Sequence, residues 1–197
     1  MALFITTAQP NARRPDQWDC VADRLRQMNR ISTLLLVCML GITTPALTKT
    51  PGEVPVGGTL RESSMQGLSG PSQKLSEFRG KPMIINVWAS WCGPCLQEMG
   101  SLERLSRRRG ANQFVMVGIS TDDYRDKALR FLATNKTSFR HFIDRQLELE
   151  NMLGADRLPL TLLVDAKGKV LAKYYGAAEW DSLEKVQAIE KAFQIKL

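Results

Sequence analysis

The chain is poor in the residues that build metal centres and covalent scaffolds. Its 197 residues include four cysteines (Cys20, Cys38, Cys92, Cys95) and one histidine, His141. A structural zinc site needs about four Cys or His ligands, and there is no second CxxC to complete one. A disulfide scaffold belongs to small domains that cannot build a core, and so few cysteines in so long a chain do not make one. Aromatic residues are only 7% of the chain, and its net charge of +7 is spread along it. The one dense basic run, Arg107 to Arg109, falls at the predicted end of a helix, where cations complement the helix dipole. That pattern does not point to nucleic acid. No apolar run reaches the roughly 20 residues of a membrane span. What remains is a hydrophobic content of 44% and a charged content of 24%, the composition of a globular protein.

The most apolar run, Ile31 to Ile42, follows Arg24, Arg26 and Arg30 and precedes Thr44-Pro45-Ala46. This is the order of a secretory signal: basic region, apolar region, small residues for cleavage. Residues 28–46 therefore read as a signal peptide, or as a signal anchor if uncleaved. Residues 1–27 read as a misassigned start or a disordered extension, because Met28 opens a signal of ordinary size. Cys38 is a poor lipoprotein site, since the residue before it, Val37, is not small. Cleavage after Ala46 removes Cys20 and Cys38 and leaves Cys92 and Cys95. In an oxidising compartment spare thiols are hazardous, so a retained pair is expected to have a task. Residues 47–72, rich in Gly, Pro, Ser and Thr, read as a linker with a possible short hairpin around 59–65. Residues 73–197 are the expected domain.

Within that domain, elements alternate. Residues 83–88 form a continuous apolar run suited to a strand buried on both faces. Residues 94–108 place Leu96, Met99, Leu102 and Leu105 at helical spacing. A second strand is expected over 113–120, a helix over 122–135 with Ala128, Leu129 and Leu132 facing inward, a short strand over 139–143 and a short helix over 147–153. Residues 160–165 and 170–175 flank Lys167-Gly168 as a hairpin, and 182–194 close the chain as a helix. The pattern is βαβαβ followed by an antiparallel hairpin, an α/β sandwich around a mixed central sheet. His141 is expected at a surface or sheet edge, and Trp88, Trp91 and Phe114 in packing roles.

Chemistry concentrates in WCGPC, Trp91 to Cys95. A structural staple closing so short a loop removes little chain entropy. Two thiolates can hold a soft ion such as Cu(I), so a copper-carrying module stays open as an alternative. The redox reading gains from placement, because the pair lies where a buried strand ends and a helix begins. The free N–H groups and partial positive charge of a helix N-terminus favour a thiolate on Cys92. Pro94 suits the first turn, where a missing N–H costs nothing. Cys95, inside the helix, is the expected resolving thiol.

WASWCGPCLQEM after a buried strand resembles the thioredoxin superfamily. LSEFRGKPMIINVWASWCGPC, GISTDD and LPLTLLVDAKGKVL resemble its exported TlpA/ResA branch, over residues of about 70–185. The resemblance implies a thioredoxin fold, a three-layer α/β/α sandwich, and a thiol–disulfide oxidoreductase that needs no cofactor or metal. It implies a cis peptide at Leu158-Pro159 facing the CxxC, with Leu158 offering its backbone to a client. Trp91, Gly93 and Pro94 support the site. The buried proton-accepting Asp of cytosolic thioredoxins is replaced by Asn86, which cannot take a proton. Glu98 can, and it sits where this branch carries an active-site glutamate. Gly100 stands where the branch often has proline. The implied function is a periplasmic reductase of protein disulfides, supplied by an inner-membrane thiol donor of the DsbD/CcdA type. Its expected clients are apocytochrome c or copper-site assembly proteins of respiratory oxidases. Dedicated cytochrome c maturation proteins carry Pro-Glu-Thr-Phe where this chain has Pro159-Leu160-Thr161-Leu162, which favours a more general TlpA-like role. A peroxiredoxin-like peroxidase is a second alternative, weakened by a cysteine context unlike the Thr/Val-Cys-Thr of that family.

Overall fold

A computed structural model describes residues 50–197 except Ser69. The signal and start readings at 1–46 lie outside the described residues. Among the described residues, no helix is long and apolar enough to cross a membrane.

Seven strands form one mixed sheet: β1 (Ser64–Gly67), β2 (Gln73–Lys74), β3 (Met83–Trp88), β4 (Val115–Ser120), β5 (Arg140–Ile143), β6 (Leu160–Val164) and β7 (Val170–Tyr175). Their spatial order is β2-β1-β5-β4-β3-β6-β7. Strands β3, β4 and β5 are parallel, and β6 and β7 extend the sheet antiparallel beyond β3. The helices are α1 (Gly93–Ser106), α2 (Arg125–Asn135), α3 (Glu148–Leu153) and α4 (Leu183–Phe193). Every residue of β3 is buried, as expected of a central strand covered on both faces. Its alternation divides the core. Met83, Ile85 and Val87 join Phe78, Phe142 and α3 on one face. Ile84 and Trp88 join Met99, Leu102 and Leu105 of α1, with residues of α2 and α4, on the other. The three-layer α/β/α sandwich with a mixed central sheet is the observed architecture.

Several details differ from the sequence reading. The stretch read as linker is packed. Val54, Leu60, Met65 and Leu68 are buried, and the backbone donates from Val54 to Met152, Gly57 to Val170 and Leu60 to Gly168. The hairpin in this region joins β1 to β2, later than 59–65. On α2 the buried face is Ala128 and Phe131, while Leu129 is 40% exposed. The cause is Trp88, on which the Phe131 ring stacks with centroids 4.6 Å apart.

His141 is buried and not at an edge, because β1 pairs with β5 and covers its outer side. Its Nε2 lies 2.8 Å from Thr137 Oγ1, and its Nδ1 has no partner. Gly118 makes the room, since a Cβ there would stand 2.2 Å from His141 Nδ1. Burial pushes the imidazole pKa down to about 3, with Glu103 opposing slightly. A folded pKa below the unfolded value means that the neutral ring stabilises the fold above about pH 6.5. That contribution is lost as pH falls from there toward about 3. Urea unfolding of the parent should therefore lose about 2–3 kcal/mol more than His141→Gln between pH 7.5 and 4.5. Parallel losses in the two proteins would show that His141 does not titrate across folding.

Candidate active site

Strand β3 ends at Trp88, whose carbonyl accepts from Thr121 N–H at 3.0 Å. The chain then turns, with Cys92 N–H donating to Ala89 O at 3.1 Å. Cys92 is the N-cap of α1, and its Sγ accepts from Cys95 N–H at 3.1 Å. The cap uses sulfur where Ser or Asp usually serves. Gly93 and Pro94 form the exposed first turn of the helix. Cys92 and Cys95 are joined as a disulfide, with S–S 2.02 Å and Cα atoms 5.3 Å apart. The two are not equivalent, because Cys92 keeps 5% of its surface in solvent and Cys95 none. Trp91 stands 72% exposed beside them. The Leu158–Pro159 peptide is cis. Pro159 is buried, and half-buried Leu158 packs against the core cluster that contains both cysteines.

Glu98 lies one turn beyond Cys95 and is 1% exposed. Its Oε1 accepts from Asn86 Nδ2 at 2.7 Å. Its Oε2 accepts from Trp180 Nε1 at 2.9 Å and from Ala178 N–H at 3.2 Å. Asn86 also donates to Thr161 Oγ1 at 2.9 Å, across the β3–β6 pairing, and its own Oδ1 is buried without a partner. Burial raises the Glu98 pKa, and the donors from Trp180, Asn86 and Ala178 pull it back in part. The result is a carboxyl group held above its ordinary range, inside the helix that carries the cysteines.

Sequence reasoning placed Cys92, Cys95, Glu98, Asn86 and Pro159 but missed Trp180, Thr161 and Ala178. Trp180 reaches Glu98 across 82 residues, and no local pattern encodes that contact. It also missed the hold on the turn itself. Ser90 donates through N–H and Oγ to Asp122, at 2.9 and 2.6 Å. Asp122 lies in the GISTDD stretch, which carried the family likeness without a role for the residue. A cleft of about 770 Å³ around Asp123, Tyr124 and Asp144 does not include the cysteines. Among the described residues, no group of three or more His, Cys, Asp or Glu side chains is placed to hold a metal ion.

The raised pKa of Glu98 has a stability consequence. A carboxyl group whose folded pKa exceeds its unfolded value favours the fold below about pH 4.5, and loses that contribution as pH rises through the folded value. At pH 7 the buried charge is a cost. In Glu98→Gln the amide oxygen can face Trp180 and Ala178, while its NH2 meets Asn86 Oδ1 once that carboxamide turns over. Glu98→Gln should be more stable than the parent by about 1 kcal/mol at pH 7, with the gap closing near pH 4. Denaturant titration at the two pH values checks both points.

The comparisons with known proteins point to thiol–disulfide exchange. The Redoxin family model matches residues 55–192. Thiol-disulfide oxidoreductase ResA of Geobacillus thermodenitrificans is 31% identical over 73% of this chain and 83% of its own. Thiol:disulfide interchange protein DsbE of Vibrio cholerae is 32% identical over 62% of this chain and 66% of its own. Among solved structures, a candidate thiol:disulfide interchange protein DsbE of Chlorobium tepidum superposes with TM-score 0.66 at 27% identity. That match covers 71% of this chain and 99% of the other. With the disulfide at the N-terminus of α1 and a family match over most of the described chain, this protein belongs to the Redoxin family, as a ResA-like thioredoxin-superfamily thiol–disulfide oxidoreductase.

Proposed function

We propose that the protein is an exported reductase of protein disulfides, working in the periplasm through Cys92 and Cys95. The observation that carries the reading is the asymmetry of the pair. Cys92 keeps a small part of its surface in solvent and its Sγ already accepts an N–H from the first turn of α1, whereas Cys95 has no exposed surface. In the reduced protein the same N–H and the helix end favour a thiolate on Cys92. That thiolate attacks one sulfur of a client disulfide, forming a mixed disulfide and releasing the client's other sulfur as a thiolate, which takes a proton. Cys95 then gives its proton to Glu98 and attacks Cys92 Sγ. The client's second thiol leaves, two electrons have passed to the client, and the Cys92–Cys95 disulfide seen here is formed. Leu158 and Trp91, flanking the pair, are the proposed rests for client backbone and side chain.

An exported reductant needs a source of electrons. The proposed source is an inner-membrane thiol transporter of the DsbD/CcdA type, which returns the disulfide to the dithiol by the reverse exchange. Proposed clients are apocytochrome c cysteines or the thiols of copper-site assembly proteins. The Gly-Pro dipeptide between the cysteines is that of thioredoxin, a strong reductant near −270 mV, which supports the direction of electron flow.

Insulin reduction with dithiothreitol tests the activity. Cys92→Ala should abolish it, because the attacking sulfur is gone. Cys95→Ser should stop turnover while trapping one mixed disulfide per molecule, whose partner in a periplasmic extract names the client. Insulin reduction that survives Cys92→Ala would exclude Cys92 as the nucleophile. Glu98→Gln should slow turnover by roughly ten- to a hundredfold and let the mixed disulfide accumulate, since only the resolving proton transfer is affected. Turnover like the parent's across pH 6 to 8 would remove Glu98 from the mechanism.

A further inference from the structure

The redox reading leaves one buried carboxylate without a task. Asp122 follows β4 and is 1% exposed. It accepts from Ser90 N–H at 2.9 Å, Ser90 Oγ at 2.6 Å and Ser120 Oγ at 2.7 Å. Its own N–H donates to Ser120 Oγ at 3.2 Å. Ser90 N–H and the two serine hydroxyls all donate to this carboxylate. Yet no cation bonds to it among the described residues. An uncompensated buried charge is expensive, and a hydroxyl or an amide could grip Ser90 at lower cost.

What the charge faces is the turn that presents Cys92. Ser90 lies two residues before it, and the turn is closed by Cys92 N–H on Ala89 O. Two residues span at most about 7 Å, so the carboxylate stands within about 10 Å of the Cys92 backbone. Charged groups of the neighbouring elements bond elsewhere. Arg125 of α2 donates to Gly67 O and Leu68 O. Arg145, after β5, donates to Asp123 O. Lys127 of α2 lies over the Tyr124 ring. Glu150 of α3 bonds to Thr121. Asp144, after β5, accepts from the backbone of α3. Asp123, next in the chain, shows no side-chain bond to Asp122.

We propose that Asp122 is a positioning residue with a second effect through its charge. It clamps the Ala89–Trp91 turn through Ser90, and as a fixed anion it opposes the ionisation of Cys92 that the helix end promotes. The balance keeps the thiol from becoming so acidic that the dithiol is overstabilised, which is what makes an oxidant of a CxxC protein. Asp122 thereby holds the site on its reducing side. The proposal rests on Cys92 as the attacking thiol.

Asp122→Asn separates the two effects. An amide oxygen still accepts from Ser90 N–H, and the hydroxyls can turn to meet the NH2, so the clamp remains while the charge goes. A unit charge at this separation, in the effective dielectric of a protein, moves a neighbouring thiol by about one pH unit. The readouts are the pH dependence of iodoacetamide alkylation of Cys92 and equilibration of the Cys92–Cys95 couple in glutathione buffers. In Asp122→Asn the Cys92 pKa should fall by about one unit. Its dithiol–disulfide equilibrium should shift about tenfold toward the dithiol, which is a rise of ~30 mV in potential. Ser90→Ala keeps the charge and loses a clamp bond, and should not lower the Cys92 pKa. If Asp122→Asn does not fold, Asp122→Ser is neutral and still offers a hydroxyl to Ser90, and is measured in the same way. An unshifted Cys92 pKa in the neutral variant, or an equal fall in Ser90→Ala, overturns the role of Asp122 alone. A parent in which Cys92 is not the more acidic, faster-alkylating thiol overturns the nucleophile assignment and this proposal with it.

Discussion

A carboxylate removed from water has to be surrounded by donors, and the structure depends on how that demand is met at Glu98. No cation reaches the group among the described residues. Its partners are N–H groups from β3 and from the loop after β7. Each must arrive in register. Asn86 reaches it because Thr161, directly opposite on β6, takes the amide's second hydrogen. Trp180 reaches it because the next turns of α1 hold the same loop. Ser101 Oγ donates to Ala178 O and accepts from Trp180 N–H, and Arg104 pairs with Glu179 and Asp181. One face of α1, read at intervals of three residues, thus fixes the distant loop and supplies the redox helix with its buried acid.

The CxxC sits between opposed fields. The first turn of α1 presents N–H groups to sulfur, which draws negative charge toward Cys92. Buried carboxyl groups lie to either side, Glu98 along the helix and Asp122 behind the turn. Thioredoxin-like sites tune their thiols by such balances rather than by any one residue. In this chain each carboxyl is held by three hydrogen bonds, Glu98 from β3 and the loop after β7, Asp122 from Ser90 and Ser120.

The alternation of strand and helix was legible because its signal is local. An apolar run marked β3, spacing by three marked α1, and Lys167-Gly168 marked the last hairpin. WCGPC and Glu98 were legible for the same reason, since motif and helix register lie within a few residues. What failed was information held at a distance. Residues 54–68 look like linker because Gly, Pro, Ser and Thr are frequent there, yet their apolar side chains pack into the core beside α3 and β7. Phe131 displaced Leu129 because the surface awaiting it was Trp88, a strand residue 43 positions earlier. His141 left the edge only because β1 added itself beyond β5. Trp180 could not be assigned to Glu98 before the sheet had brought the two ends of the domain together.

The N-terminal strap has a mechanical meaning. It is fastened by backbone bonds to Met152, Val170 and Gly168, by the half-buried Glu53–Lys173 ion pair, and by Arg125 gripping the carbonyls of Gly67 and Leu68. A pull on the chain ahead of Thr50 would therefore be shared among β7, the last hairpin turn and α3 before it reached β3 or the turn into α1. The strap is a strain relief. Load arriving from upstream is spent on anchorages away from the sulfur pair, and the spacing of Cys92, Glu98 and Asp122 is left unstretched.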